Sequence, residues 1–468
     1  MPEQVPDDTL ERDGNLRDDD VSQFGLSEET VQQIQEALID GDSDLVRQEL
    51  AELHTADIAD LIEQLRPALR AELMQVASDL VDAEVYSDLD ETVRDHLVEE
   101  MDAAEIAELV TDLELDDAVH VLEDLERSDQ QDVLRELSAE DRVVIEEGLS
   151  YEEDTAGRLM QRDLIAVPEY WDMGQTIDYL RDTEDLPNEF YEIFVVNPRH
   201  QPIGTVPLDK AMRSQRTVPV VDIMEREQTL IPVHMDQEEV AYLFKQYRLT
   251  SAAVVNDRGG LIGMITVDDI VDVINEEAEE DILRLGGVAE DNLFGSIIET
   301  TKTRFTWLLV NLLTAVIASL AIGMFDQAME KVIALAVLMP IVASMGGNAG
   351  TQTLTVAVRA IATRELTSNN MSRIVGKEAL VATLNGSVFA ILIGLVAWAW
   401  FGDMTIGWVI AIAMVLNMFV AGIAGMLVPI TLDRYEIDPA VASSVFVTTI
   451  TDVIGFVAFL GIASLALL

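Results

Sequence analysis

Two kinds of apolar pattern divide the chain. From about residue 26 to residue 157, apolar positions recur every three or four residues in short polar-flanked segments, and Thr55–Leu65 (TADIADLIEQL), Ala103–Leu113 (AAEIAELVTDL) and Leu115–Leu125 (LDDAVHVLEDL) repeat nearly one phrase. That spacing puts the apolar side chains on one face of a helix, and an Asp or Ser before several runs supplies the N-cap. The pattern predicts an α-helical domain built as a small superhelical stack of helix pairs, whose default role is packing or interaction. After residue 305 the pattern changes to long apolar segments at about 305–325, 331–361, 374–401, 405–432 and 439–467. Each reaches the roughly 20 residues that cross a bilayer core, so five membrane-spanning helices are expected.

Between these regions lies a sharper repeat. Ile193–Gly204 (IFVVNPRHQPIG) matches Ala252–Gly263 (AAVVNDRGGLIG) at a constant offset of 59, which carries Val195, Val196, Asn197, Gly204 and Asp209 onto Val254, Val255, Asn256, Gly263 and Asp268. Each copy reads as a β-branched strand, a polar turn, a second strand and a helix opening on an acid. Tandem units of this form resemble a pair of CBS domains, α/β regulatory modules, here 158–222 and 223–281. The second copy holds Gly263, Thr266 and Asp269 in the arrangement by which such domains hold a nucleotide's ribose; in the first copy Gly204, Pro207 and Lys210 stand there, so at most one such site is intact. A connecting helix is expected over 282–304, chiefly Glu290–Thr303.

Charge changes the picture next. Residues 1–304 hold 77 acidic and 23 basic side chains, net −54, whereas residues 305–468 hold 9 and 6, net −3. So anionic a surface repels nucleic acid and concentrates cations; the solubility charge of a salt-adapted protein is a compatible second reading. Residues 1–25 are polar and acidic, lack the apolar core of a secretory signal, and read as a disordered tail. With no cysteine, disulfides and thiolate metal sites are excluded. Lys302, Arg304, Arg359, Arg364, Arg373, Lys377 and Arg434 fall on one side of the five spans and Lys331 on the other, which places the acidic domains in the cytoplasm and the C-terminus outside the cell membrane.

Chemistry enters through the polar residues of the spans. The second carries Pro340, Gly346, Gly347, Asn348, Gly350, Thr351 and Gln352 in PIVASMGGNAGTQ. Proline and three glycines at membrane depth imply close helix contact or irregular backbone lining a cavity. Gly346 and Gly350 also fit a simple GxxxG packing motif, while Asn348, Thr351 and Gln352 add polar groups that packing alone does not require. Asp452 falls near the middle of the fifth span, where an isolated charge costs at least about 3 kcal/mol. Ser444 and Thr448 share its helix face, with Thr449 and Gly455 adjoining, and no basic residue lies nearby in sequence. Two chains paired by twofold symmetry would place two Asp452 and two Asn348 around one axis. Carboxylate, amide and hydroxyl oxygens suit Mg²⁺ or Ca²⁺.

The helical domain, the CBS pair, PIVASMGGNAGTQ and the final DPAVASSVFVTTITDVIGF together resemble the MgtE family of magnesium channels over nearly the whole chain after residue 26. The resemblance implies a homodimer embedded in membrane lipid, a pore on the twofold axis, and Asp452 recognising hydrated Mg²⁺, with Gly346, Gly347, Asn348, Thr448 and Thr449 along the ion pathway. It also implies that Mg²⁺ bound between the cytoplasmic domains and the membrane part closes the channel, and that ATP at the CBS pair modulates this. Carried over residue by residue, the regulatory metal ligands are Asp236, Glu238, Asp269, Asp272, Glu277, Glu280, Asp438 and Asp116. Two departures stand out: Arg248 lies where an acidic ligand is expected, and Ser444–Val445 replace a Gly–Pro before Phe-Val-Thr-Thr.

The same polar spans would serve a carrier exchanging Mg²⁺, or other divalent cations, for Na⁺. A CBS-regulated membrane enzyme is disfavoured. His54, His96, His120, His200 and His234 all lie outside the spans, and neither a Gly-x-Ser-x-Gly motif nor a P-loop is present. A nucleotide-sensing scaffold would leave Asp452 unexplained.

Overall fold

The computed structural model describes residues 25–183, 186–187, 190–288, 297–367, 369–435 and 437–467. Apart from Gly25, the expected tail lies outside the described residues, as do residues 289–296 of the expected connecting helix. The chain divides into two compact units, Met1–Ile274 and Asn275–Leu468.

The first unit opens with helices α1 (Glu28–Asp40), α2 (Ser43–Leu50), α3 (Thr55–Gln64), α4 (Pro67–Ala77), α5 (Ala83–Ser87), α6 (Glu91–Val98), α7 (Ala103–Asp112), α8 (Leu115–Glu123), α9 (Arg127–Glu136) and α10 (Ala139–Gly148). Neighbours one or two places apart in sequence pack together, α1 on α2, α2 on α4, α3 on α5, α7 on α9 and α8 on α10, which makes a consecutive stack. The repeated phrase becomes α3, α7 and α8, whose apolar faces join Ile34, Leu38, Leu61, Ile62, Leu73 and Leu122 in one core. Burying each such side chain is worth about 1.5–3 kcal/mol. Caps fix the helix starts: Ser27 accepts from the Thr30 N–H at 3.1 Å, and Asp102 and Glu105 form a reciprocal capping box on α7.

Two three-stranded sheets follow. In the first, β1 (Ala166–Pro168) runs parallel to β2 (Glu192–Val196), which pairs antiparallel with β3 (Pro202–Pro207); in the second, β4 (Leu230–Pro232), β5 (Ser251–Val255) and β6 (Leu261–Thr266) repeat that order. The offset of 59 preserves register, down to an irregularity after Val195 and again after Val254. Asn197 and Asn256 recur because each builds its turn: Asn197 Oδ1 accepts from the Arg199 and Gln201 N–H groups, and Asn256 Oδ1 from those of Arg258 and Gly260. Helices α11 (Met173–Asp182), α12 (Leu208–Arg213), α13 (Val220–Ile223) and α14 (Gln237–Tyr247) flank the sheets. Residues 156–161 join the second sheet's module: Ala156 and Gly157 N–H donate to the Met235 and Val233 carbonyls, Gln161 bridges Met264, and Met160 lies in that module's core. The apolar Met160 is drawn there by burial among Ile231, Val254 and Ile265.

Helix α15 (Val267–Leu285) runs past the expected boundary at 281. In the second unit, α16 (Ile297–Gly323) joins the end of the expected connecting helix and the first span in one helix, with no break at 304. A short α17 (Asp326–Lys331) leads into α18 (Ile333–Ala362), α19 (Met371–Phe401), α20 (Met404–Arg434) and α21 (Pro439–Leu467). Helices α16, α18, α19, α20 and α21 are long and apolar enough to cross a bilayer. Central among them is α20, packed on α18, α19 and α21. Despite Pro340 and its glycines, α18 is continuous, so close helix contact, not irregular backbone, is what those residues provide here.

Candidate functional site

Helices α18, α20 and α21 meet along a seam of small residues. A Cβ on Gly346 would collide with Asn417 Nδ2 of α20, and one on Gly350 would sit 2.6 Å from Val447 Cγ1 of α21. A Cβ on Gly425 would lie 2.7 Å from the Gly350 carbonyl oxygen, and one on Gly455 would lie 2.8 Å from Asn417 Nδ2. Asn417 is fully buried, and its Nδ2 donates to the Val342 carbonyl at 2.8 Å. The sequence reading passed over Asn417; the available signal was one amide in an otherwise apolar span.

Residues two apart on a helix point about 200° apart, so Asn348 faces away from Gly346. Asn348, Thr351, Gln352 and Thr355 are exposed. With Asn385, Phe389 and Met418 they line an open cleft of about 430 Å³ whose wall is part polar and part apolar. Gly347 has open space where a side chain would project. On α21, Asp452 is half-buried and makes no hydrogen bond or ion pair among the described residues. Thr448, one turn away, is exposed, and Thr449 Oγ1 donates to the Val445 carbonyl at 2.6 Å. No hydrogen bond links Asn348 to Asp452 within the chain, among the described residues.

In the first unit the acids at the starts of α8 and α15 face one another. Burial, then the charges of Asp269, Asp117 and Glu114, pushes the Asp116 carboxyl well above the usual range. Its Oδ1 is buried without a hydrogen-bond partner. Burial also raises Glu114 to about 7, helped by Asp269 and Asp117, and Asp117 to about 6 against the opposing pull of His120 and Arg94. Asp269 rises to about 6, again chiefly by burial, and Asp88 rises through burial and then Asp272. Thus three expected ligands, Asp116, Asp269 and Asp272, belong to one acidic region together with Asp88, Glu114 and Asp117, which sequence reasoning did not select.

Other expected residues have structural employment. Asp236 caps α14, accepting from the Glu238 N–H at 2.9 Å, and Arg248 ends that helix at φ 55°. Of the ribose trio, a Cβ on Gly263 would lie 2.8 Å from Met160 Sδ. Asp269 Oδ2 accepts from Thr266 Oγ1 at 2.8 Å and from Gln161 Nε2 at 3.2 Å. Glu91, Asp95 and Asp124 also converge, within 4.8 Å of one another. There the buried Arg94 already pairs with Asp124 at 3.0 Å.

In the second unit Arg284, near the end of α15, pairs with both Glu280 and Asp438. Asp438 Oδ1 meanwhile caps α21, accepting from the Ala440 N–H at 2.7 Å. Burial, then Asp438 and Glu277, pushes the Asp281 carboxyl up. One residue beyond Arg284, Leu285 packs on Leu354 and Val358 of α18 and Ala440 of α21. Glu277, Glu280 and Asp438 therefore gather where α15 docks on the two helices that carry Asn348 and Asp452.

Comparison with known proteins agrees with this architecture. The MgtE divalent cation transporter family matches residues 339–462, the MgtE intracellular N domain residues 53–154, and the CBS domain residues 220–276. The magnesium transporter MgtE of Thermus thermophilus is 34% identical over 327 residues, 69% of this chain and 72% of that one. Its counterpart in Enterococcus faecalis is 30% identical over 321 residues, 69% of this chain and 71% of that one. The crystal structure of the cytosolic domain of the Mg²⁺ channel MgtE in complex with ATP is 29% identical, with a TM-score of 0.48, covering 52% of this chain and 99% of that chain. On this identity to MgtE transporters, over more than two thirds of both chains, the chain belongs to the MgtE family.

Proposed function

We propose that the chain is one protomer of a homodimeric channel that carries Mg²⁺ across the cell membrane and closes when Mg²⁺ binds its acidic domains. One observation carries the reading: Asp452 lies within a membrane-spanning helix, half-buried and without a pairing partner among the described residues, beside the exposed Thr448. A carboxylate held at that depth without a base is costly unless a cation visits it. Relatives that are magnesium transporters support Mg²⁺ as the cargo.

Mg²⁺ gives up its water reluctantly, so a pathway suits it when oxygens receive the hydration shell rather than the bare ion. Across a twofold axis, two Asp452 carboxylates supply charge, while Thr448 and the amide of Asn348 accept hydrogen bonds from shell water. Gly347 leaves room for that shell. Closure begins at the acids of α8 and α15, where Mg²⁺ takes the place of protons that their mutual repulsion would otherwise retain. It ends where α15 docks through Leu285 on α18 and α21. Swinging such a gate from 1:99 to 99:1 requires about 5.5 kcal/mol of differential binding, which several sites supply together. The basic residues at one set of helix ends put the acidic domains in the cytoplasm.

The test is Mg²⁺ flux into proteoliposomes for the wild-type chain and Asp452→Asn. Flux falling to background in the variant supports the reading; flux that survives removes Asp452 from the pathway.

A further inference from the structure

Asn417 is the single amide of α20 and lies at the centre of the membrane unit, fully buried. Its Nδ2 donates to the Val342 carbonyl. That carbonyl also belongs to the helical turn closed by the Gly346 N–H, so the amide grips α18 where Gly346, Gly347 and Asn348 begin. On its other side Gly455 closes over the same side chain, and a Cβ there would lie 2.8 Å from Nδ2. Gly455 follows Asp452 by three residues, less than one turn. A single side chain therefore touches both helices of the proposed pathway, and glycine on each side is what admits it.

Stability alone does not call for an amide here. Asn417 Oδ1 is buried and has no hydrogen-bond partner among the described residues, an arrangement that costs more than apolar packing would. We infer that Asn417 is a positioning residue of the ion pathway, setting the spacing between the Gly346–Asn348 turn and Asp452; this rests on the reading of Asp452 given above. A site that meets an ion through its hydration shell discriminates by spacing, because Ca²⁺ takes a larger and more flexible set of oxygens than Mg²⁺ does. Releasing the clamp would relax that spacing without removing any group that meets the ion.

The experiment measures Mg²⁺ and Ca²⁺ flux and the melting temperature of the full chain for Asn417→Leu, for Gly346→Ala, for the double variant Gly346→Ala with Asn417→Ser, and for Asp452→Asn. In Asn417→Leu the ratio of Mg²⁺ to Ca²⁺ flux is expected to fall by about threefold to tenfold, the range spanned by one interhelical hydrogen bond in a bilayer. Gly346→Ala alone should lower the melting temperature, since its methyl meets Asn417. The double variant should recover the melting temperature and keep the loss of selectivity, which a merely structural role would not produce. If Asn417→Leu, or the double variant where the leucine protein does not assemble, keeps the wild-type ratio while Asp452→Asn loses flux, the inference about Asn417 is overturned and the pathway stands. If Asp452→Asn keeps wild-type flux, the pathway reading itself falls.

Discussion

Arg284 stands between Glu280 and Asp438, two residues that the family resemblance assigns to a divalent ion. Its guanidinium pairs with both carboxylates, its one positive charge offsetting one of their two negative charges, and ties α15 to the start of α21. In Arg284→Gln the docked arrangement should loosen until Mg²⁺ replaces the missing charge. Flux in the absence of sensor-side Mg²⁺ should rise by up to about fivefold, as loss of a partly exposed ion pair worth about 1 kcal/mol allows, while saturating Mg²⁺ still closes the channel. Flux titrations on both proteins check this, and superimposable curves would show that Arg284 has no part in closure. Residues differed in how plainly the sequence displayed them. Asp452 was legible because one charge in a long apolar run has few structural explanations. Asn417 was not, since its meaning depends on Val342, 75 positions away, and on two glycines whose inward direction only packing reveals.

Among elements, the end of α15 has an apolar foothold in the second unit, Leu285 on Leu354, Val358 and Ala440, which the proposed closure would use. Leu285→Ala removes part of that burial, roughly 1–2 kcal/mol for a partly buried leucine. The Mg²⁺ concentration that half-closes the channel should rise several-fold, with flux at zero sensor-side Mg²⁺ unchanged or higher; a closure curve identical to wild type would remove the foothold from the mechanism. The helices and strands were largely readable from period and repeat, and the twin Asn turns show why, each asparagine folding its own loop by local hydrogen bonds. What periodicity did not show was tertiary. Residues 156–161 cross into the second CBS module because Met160 finds its core there, and α18 stays helical through Pro340 because neighbouring helices support it.

On the scale of the molecule, the proposed sensing would draw on the chain's acidity. With a net charge of −57, the protein repels itself at neutral pH, and the acids around Asp116 concentrate that repulsion in one region. Their folded pKa values, about 6 to 7 for Glu114, Asp117 and Asp269, lie above the values near 4 that the unfolded chain gives. Their protonation therefore stabilises the fold below about pH 4, and that contribution is lost as pH rises through 6 to 7. In chelator, the melting temperature of the soluble region should fall between pH 5 and 7.5, and millimolar Mg²⁺ should restore it. Asp116→Asn should flatten the fall, whereas general charge repulsion would leave it unchanged. At 1 M salt the Debye length shrinks to about 3 Å, so sensing there depends on direct ligation and should persist.

The most direct test of the account is Mg²⁺ flux in proteoliposomes at fixed ionic strength, with Mg²⁺ on the side of the acidic domains stepped from zero to several millimolar. The account predicts flux that is high at zero, falls cooperatively as Mg²⁺ fills the acidic sites, and needs no Na⁺. Flux that ignores sensor-side Mg²⁺, or that appears only against a Na⁺ gradient, would contradict it.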